Sequence, residues 1–141
     1  MTCDTMNILL VDDDEVDVMN VKRAFKKNNV SNPLHVAENG IEALEMLRGN
    51  GDPEQRLRPK IILLDLNMPR MNGIDFLKEL RADPDLKSIS VIVLTTSNEE
   101  RDIVAAHDFN VAGYILKPVE FDKFVAAIKT LKLYWKLNEL P

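Results

Sequence analysis

Five short apolar runs, at 8–11, 34–37, 61–66, 91–95 and 114–116, punctuate the chain, and each is followed by a longer segment of helical period. Three of these runs are nearly unbroken and rich in Ile, Val and Leu. A strand with one wet face would alternate apolar and polar residues, so unbroken runs predict parallel strands covered on both faces. Between them Val18, Val21 and Phe25 recur at helical spacing, then Ile41, Leu44 and Leu47, then Ile74, Leu77 and Leu80. Residues 99–108 give a weaker stripe through Ile103 and Ala106, and the last stripe runs through Phe121, Phe124, Val125, Ile128, Leu131 and Trp135. This alternation predicts an α/β fold, a doubly wound parallel sheet with right-handed crossovers and helices on both faces.

The punctuation agrees. Lys26 and Lys27 place positive charge at the end of the first helix, where the helix dipole favours it. Asn39-Gly40 starts the second helix, "RGNGDPEQRLRP" (48–59) reads as a loop, and "ADPDLKS" (82–88) breaks the third helix before the fourth strand. A chain of 141 residues suffices for one well-buried core and leaves little room for a second domain, so a single domain over 1–141 without an output domain is expected.

Charge and composition narrow the function. The net charge is −5, with 23 acidic against 18 basic residues, which argues against a nucleic-acid partner. No apolar run approaches the roughly 18 residues of a membrane span, and the N-terminus lacks the basic-then-apolar order of a secretory signal. A cytoplasmic protein with no membrane partner is expected. The lone Cys3 forms no disulfide framework and reads as a silent thiol.

In open α/β sheets ligands bind outside the carboxyl ends of the strands. Here the first strand ends in Asp12, Asp13 and Asp14, the third in Asp65, the fourth in Thr95 and Thr96, and the fifth in Lys117. Each has an ordinary reading alone. Asp65 would be a cap, Asp14 and Glu15 an N-cap with favourable dipole interaction, and Lys117 a solvated lysine. Four polar strand ends sharing one edge are harder to explain that way.

Carboxylates gathered at one edge repel one another unless a cation lies among them. Oxygen donors without paired His or Cys point to Mg²⁺, and His35 and His107 share no metal-ligand motif. A carboxylate beside Mg²⁺ can attack a phosphoryl group. Lys117 would then pair with the phosphoryl oxygens as a point charge, and the Thr95 hydroxyl would donate a hydrogen bond to them.

The motifs "ILLVDDD", "LLDLNMPRMNG", "VIVLTTS" and "GYILKP", in this order and spacing, make the chain resemble the receiver domain of two-component response regulators over nearly its whole length. The resemblance implies the flavodoxin-like (βα)5 fold with strand order 2-1-3-4-5, for which a receiver is a standard example. It also implies a phosphoacceptor that takes its phosphoryl group from a histidine kinase, and that assists only its own phosphorylation and dephosphorylation. Asp65 matches the phosphoacceptor. Asp12 and Asp13 match the acidic pair, with Asp13 the direct Mg²⁺ ligand, and Asn67 matches the residue whose backbone carbonyl joins the metal. Thr95 matches the switch hydroxyl, Lys117 the phosphate-pairing lysine, and Tyr114 the aromatic that changes rotamer on activation. Lys117-Pro118 matches the family's cis peptide. Met68, Pro69 and Gly73 match the loop after the phosphoacceptor, with glycine read as the residue a tight turn needs.

Two departures from the family pattern stand out. Thr96 occupies a place where a smaller residue is usual, which would narrow access to the phosphate, and the 48–59 loop is long. "LTTS", that loop and the tail "YWKLNELP" give a narrower resemblance to stand-alone receivers serving bacterial and cyanobacterial phytochrome-type histidine kinases.

The expected signalling surface comprises the fourth helix, fifth strand and fifth helix. In the tail, Ala126, Leu133, Leu137 and Leu140, joined by Tyr134, form a second apolar line that needs a burial partner. A two-fold homodimer through Leu133, Tyr134, Leu137 and Leu140 is expected, with folding back over the chain's own domain as the alternative. A phosphotransfer protein or another downstream target completes the set of expected partners. Two other classes stay open: a degenerate receiver acting only as a docking module, and a Mg²⁺-dependent phosphohydrolase. The first would lack one of the Asp, Thr or Lys residues. The second usually carries an acid–base Asp two residues after its nucleophile, where this chain has Asn67, which cannot transfer protons.

Overall fold

The structure, a computed structural model, describes residues 7–27, 33–49, 52–66, 72–95, 109, 111 and 113–116. In chain order the elements are β1 (Asn7–Val11), α1 (Glu15–Lys27), β2 (Leu34–Ala37), α2 (Gly40–Arg48), a short 3-10 turn (Pro53–Gln55), β3 (Pro59–Asp65), α3 (Gly73–Ala82), β4 (Ser90–Thr95) and β5 (Gly113–Leu116). The strands form one parallel sheet in the order β2-β1-β3-β4-β5. This is the flavodoxin-like receiver arrangement that the motifs implied. Each apolar run became a strand. The β3 strand begins two residues before its apolar run, at Pro59, a strand-start position that tolerates proline's missing N–H.

The unbroken runs are explained by burial on both faces. On one face Ile8, Leu10, Ile61, Leu63, Ile92 and Leu94 pack with Val21 and Phe25 of α1. On the other, alternate residues of the same strands, among them Leu9, Val11, Ile62, Leu64 and Val93, meet Ala43, Leu44 and Leu47 of α2 and Phe76, Leu77 and Leu80 of α3. Every position of β1 after Asn7, and of β3 from Ile61 onward, is therefore buried. Each large side chain so placed contributes about 1.5–3 kcal/mol.

Local chemistry sets the helix ends. Asp14 caps α1: its Oδ1 accepts from Val16 N at 2.8 Å, and its carbonyl accepts from Val18 N at 3.1 Å. Asn39 caps α2 by accepting from Glu42 N at 2.8 Å, and Asn72 caps α3 by accepting from Asp75 N at 2.9 Å. The two Asn-Gly pairs thus do the same work, although only the first reads as a helix start in the sequence. Asn39→Ala is expected to lower stability by about 1 kcal/mol, read as a lower urea midpoint at unchanged slope.

The described residues of the 48–59 loop are held against α2. Gly49 ends α2 in the left-handed region (φ 69), and a Cβ there would lie 2.8 Å from Arg56 N. Leu57 N donates to Met46 O at 2.8 Å, and Arg56 Nε to Leu47 O at 3.2 Å. His35 lies in β2 with Nε2 3.4 Å from Asn7 Oδ1. The predicted fourth and fifth helices, Cys3 and His107 lie outside the described residues.

Candidate functional site

The site follows from register. Val11 pairs with Leu64, so the next residues, Asp12 and Asp65, emerge side by side at the carboxyl edge. Asp65 ends β3 and pairs with Leu94, which puts Thr95, the last residue of β4, one step further along the same edge. Thr95 pairs in turn with Leu116, the last residue of β5. The topology thus brings the ends of β1, β3, β4 and β5 to one edge.

Asp12 and Asp65 are buried, at 1% and 3% exposure, whereas Asp13 is exposed. Asp12 is fixed at both ends: its N–H donates to Ala37 O at 3.0 Å, and its Oδ1 accepts from Asp14 N at 2.9 Å. Oxygens of Asp12, Asp13 and Asp65 all lie within 4.8 Å of one another. Two ligands on opposite sides of Mg²⁺ would be about 4.2 Å apart, so the trio fits an octahedral oxygen-ligated cation with little adjustment. Buried carboxylates are rare without a compensating charge or hydrogen bonds.

Gly73 N donates to Leu66 O at 3.0 Å, and a Cβ on Gly73 would meet Leu66 Cα at 2.7 Å and Asp65 O at 2.9 Å. The φ of Gly73 lies outside the left-handed region. The tight-turn reason for this glycine is therefore corrected: it is the first residue of α3, and the close approach of α3 to the β3 backbone demands it.

Of the other predicted residues, Tyr114 lies in β5, half-buried against the α2–α3 side of the core. The Thr95 side chain, Asn67, Lys117, Pro118 and the tail residues Leu133, Tyr134, Leu137 and Leu140 lie outside what the structure describes. Strand-end reasoning passed over Glu38, which directly follows β2. Glu38 lines a cavity of about 290 Å³ with Asp12, Asp13, Lys22, Met19 and Val36. The same rule applied to the second apolar run would have found it. A larger cavity of about 590 Å³, between His35, α2 and the 48–59 loop, contains none of the predicted site residues.

The parallel five-stranded sheet with an acidic cluster at its carboxyl edge defines a class, and the chain's relatives agree with it. Residues 8–129 match the response regulator receiver domain family, and the chain belongs to that family. It is a receiver domain response regulator of two-component signalling, close to the phytochrome response regulators. It is 34% identical over 128 residues to response regulator Rcp1 of Synechocystis sp., an alignment spanning 91% of this chain and 87% of Rcp1. Bacteriophytochrome response regulator RtBRR superposes with a TM-score of 0.81 at 40% identity, over 89% of this chain and 77% of RtBRR. The phosphorylated cyanobacterial phytochrome response regulator RcpA gives 0.80 at 33% identity, over 97% and 98%. One of the similar solved structures is the Mn²⁺-bound form of Rcp1.

Proposed function

We propose that this chain is a phosphoacceptor switch: Asp65 takes a phosphoryl group from a histidine kinase in a Mg²⁺-dependent step, and the altered site shifts the protein between two conformations. The observation that carries the reading is the convergence of the Asp12, Asp13 and Asp65 oxygens within 4.8 Å at one sheet edge. Asp12, Asp13 and Asp65 would hold the metal, together with the Asn67 backbone carbonyl that the family pattern assigns. Bound there, Mg²⁺ would offset the charge of the carboxylates and of the phosphoryl oxygens drawn towards them. The Mn²⁺-bound form of Rcp1 supports a divalent ion in this role.

In the transfer, a carboxylate oxygen of Asp65 forms a bond to phosphorus while the phosphorus–nitrogen bond of the donor phosphohistidine breaks. The bonding pair stays on the imidazole nitrogen, which takes up a proton from solvent. The Thr95 hydroxyl and the Lys117 ammonium receive the phosphoryl oxygens. Thr95 then draws towards the phosphoryl group, and Tyr114 on the neighbouring strand changes position.

A protein donor is supported by Val16 and Met19, large apolar side chains of α1 left exposed close to the acidic cluster. The similar phytochrome response regulators support a phytochrome-type kinase. The same reading places the chain in the cytoplasm and gives Leu133, Tyr134, Leu137 and Leu140 to a homodimer contact. Among the described residues, no helix is long and apolar enough to cross a membrane.

The test is incubation of the chain with Mg²⁺ and a small acyl phosphate, followed by intact mass measurement of wild type and Asp65→Asn. One added phosphoryl group on the wild type and none on the variant is expected. Equal labelling of both would remove Asp65 from its role. No labelling of either would favour a docking module.

A further inference from the structure

Arg81 stands in the last turn of α3, at the opposite end of that helix from the acidic cluster. Its Nε donates to Phe109 O at 2.7 Å, and one terminal nitrogen donates to Lys87 O at 2.7 Å and to Ile89 O at 2.8 Å. Ile89 immediately precedes β4, and Phe109 lies a few residues before β5. One planar cation therefore grips the approach to two neighbouring strands at once. Burial pulls its pKa below the ordinary arginine value, yet a guanidinium stays charged in proteins, so all three bonds are charge-assisted. Phe109 and Val111 also pack against the α2–α3 core, which leaves this end of the sheet little freedom.

The other ends of the same strands are Thr95 and Leu116, which pair with each other, and Tyr114 lies between the base and the tip of β5. A strand of six residues is about 20 Å long, so β4 is held at its base by Arg81 and meets the acidic edge at its tip. The α3 helix runs from the acidic edge to the strand bases. Its first residue packs against the backbone of Leu66 and Asp65, and its last turn presents Arg81.

We propose that Arg81 is a positioning residue, the clamp that fixes the bases of β4 and β5 together, so that movement at the site is confined to the strand tips. This deepens the switch reading above and rests on it for the moving tips, but the clamp itself exists in the resting protein. Loosening it would let the bases follow the tips and dissipate the displacement before it reached a surface. Lysine replaces the planar fork with a point charge on a flexible stem, and glutamine removes the charge; neither spans three carbonyls in one plane as a guanidinium does.

The experiment is amide hydrogen exchange on the full chain, for wild type, Arg81→Lys and Arg81→Gln, before and after treatment with Mg²⁺ and a small acyl phosphate. Intact mass is measured on the same samples. In the untreated variants the peptides covering 86–90 and 109–116 should exchange together, about tenfold faster than in wild type, while 34–48 stays unchanged. After treatment, the wild-type response should be confined to the strand tips and the Arg81→Gln response should spread to 86–90 and 109–111. Unchanged exchange in both untreated variants overturns the clamp, as does acceleration spread evenly over the chain. If the mass shows no phosphoryl group on the wild type, the switch reading falls while the untreated samples still decide the clamp.

Discussion

Without divalent cations Asp12→Asn is expected to be more stable than wild type, and with them it should lose that advantage. The carboxylate oxygens of Asp12, Asp13 and Asp65 lie within 4.8 Å of one another, and two of the three residues are buried. At an effective dielectric of about 20, unit charges at that spacing repel by about 3 kcal/mol, and the exposure of Asp13 to water weakens its share. Removing one charge should therefore stabilise the metal-free protein by about 1–3 kcal/mol. The substitution is sparing: an asparagine Oδ1 still accepts the hydrogen bond from Asp14 N. For the wild type, Mg²⁺ at a hundred times its dissociation constant should add about 2.7 kcal/mol, whereas the variant, one carboxylate short, should gain little. Urea denaturation of both proteins with and without Mg²⁺ reads all four states. A variant less stable than wild type under metal-free conditions would mean that the carboxylates do not strain the fold. An equal Mg²⁺ response would mean that Asp12 does not hold the ion.

Gly73→Ala poses a contest of signs. In an exposed helix, replacing glycine with alanine stabilises by about 1 kcal/mol. At Gly73 the new methyl would sit 2.7 Å from Leu66 Cα and 2.9 Å from Asp65 O, both backbone atoms, closer than real Cβ contacts come. The backbone must give way, and overpacking of this kind costs about 1–3 kcal/mol. The atoms that yield belong to Asp65 and its neighbour, so the damage should reach the acidic cluster as well as the fold. The expected result is a lower urea midpoint together with weaker Mg²⁺ stabilisation. A more stable variant with normal Mg²⁺ response would show that helix propensity outweighs the close approach.

Most of the fold was legible because it rests on local periodicity. Unbroken Ile, Val and Leu runs became strands buried on both faces, and stripes such as Ile41, Leu44 and Leu47 became the inward faces of helices. The acidic edge was legible for a related reason: polar residues at the ends of apolar runs must emerge where parallel strands end. The tight-turn reason given for Gly73 was wrong because an Asn-Gly step serves equally as a turn and as a helix start. The choice depends on what packs against the glycine, and that atom, Leu66 Cα, belongs to another element. Glu38 was less legible because the β2 run is only four residues long and is interrupted by His35.

Sequence alone determined which segments are strands and helices, and which carboxylates and hydroxyls lie at strand ends, because those depend on spacings of two to four residues. The three-carboxylate distance, the packing that reserves position 73 for glycine and the grip of Arg81 on the approaches to β4 and β5 came only from the tertiary structure. Each joins residues far apart in the chain, and no short-range pattern records how closely two separate backbones approach.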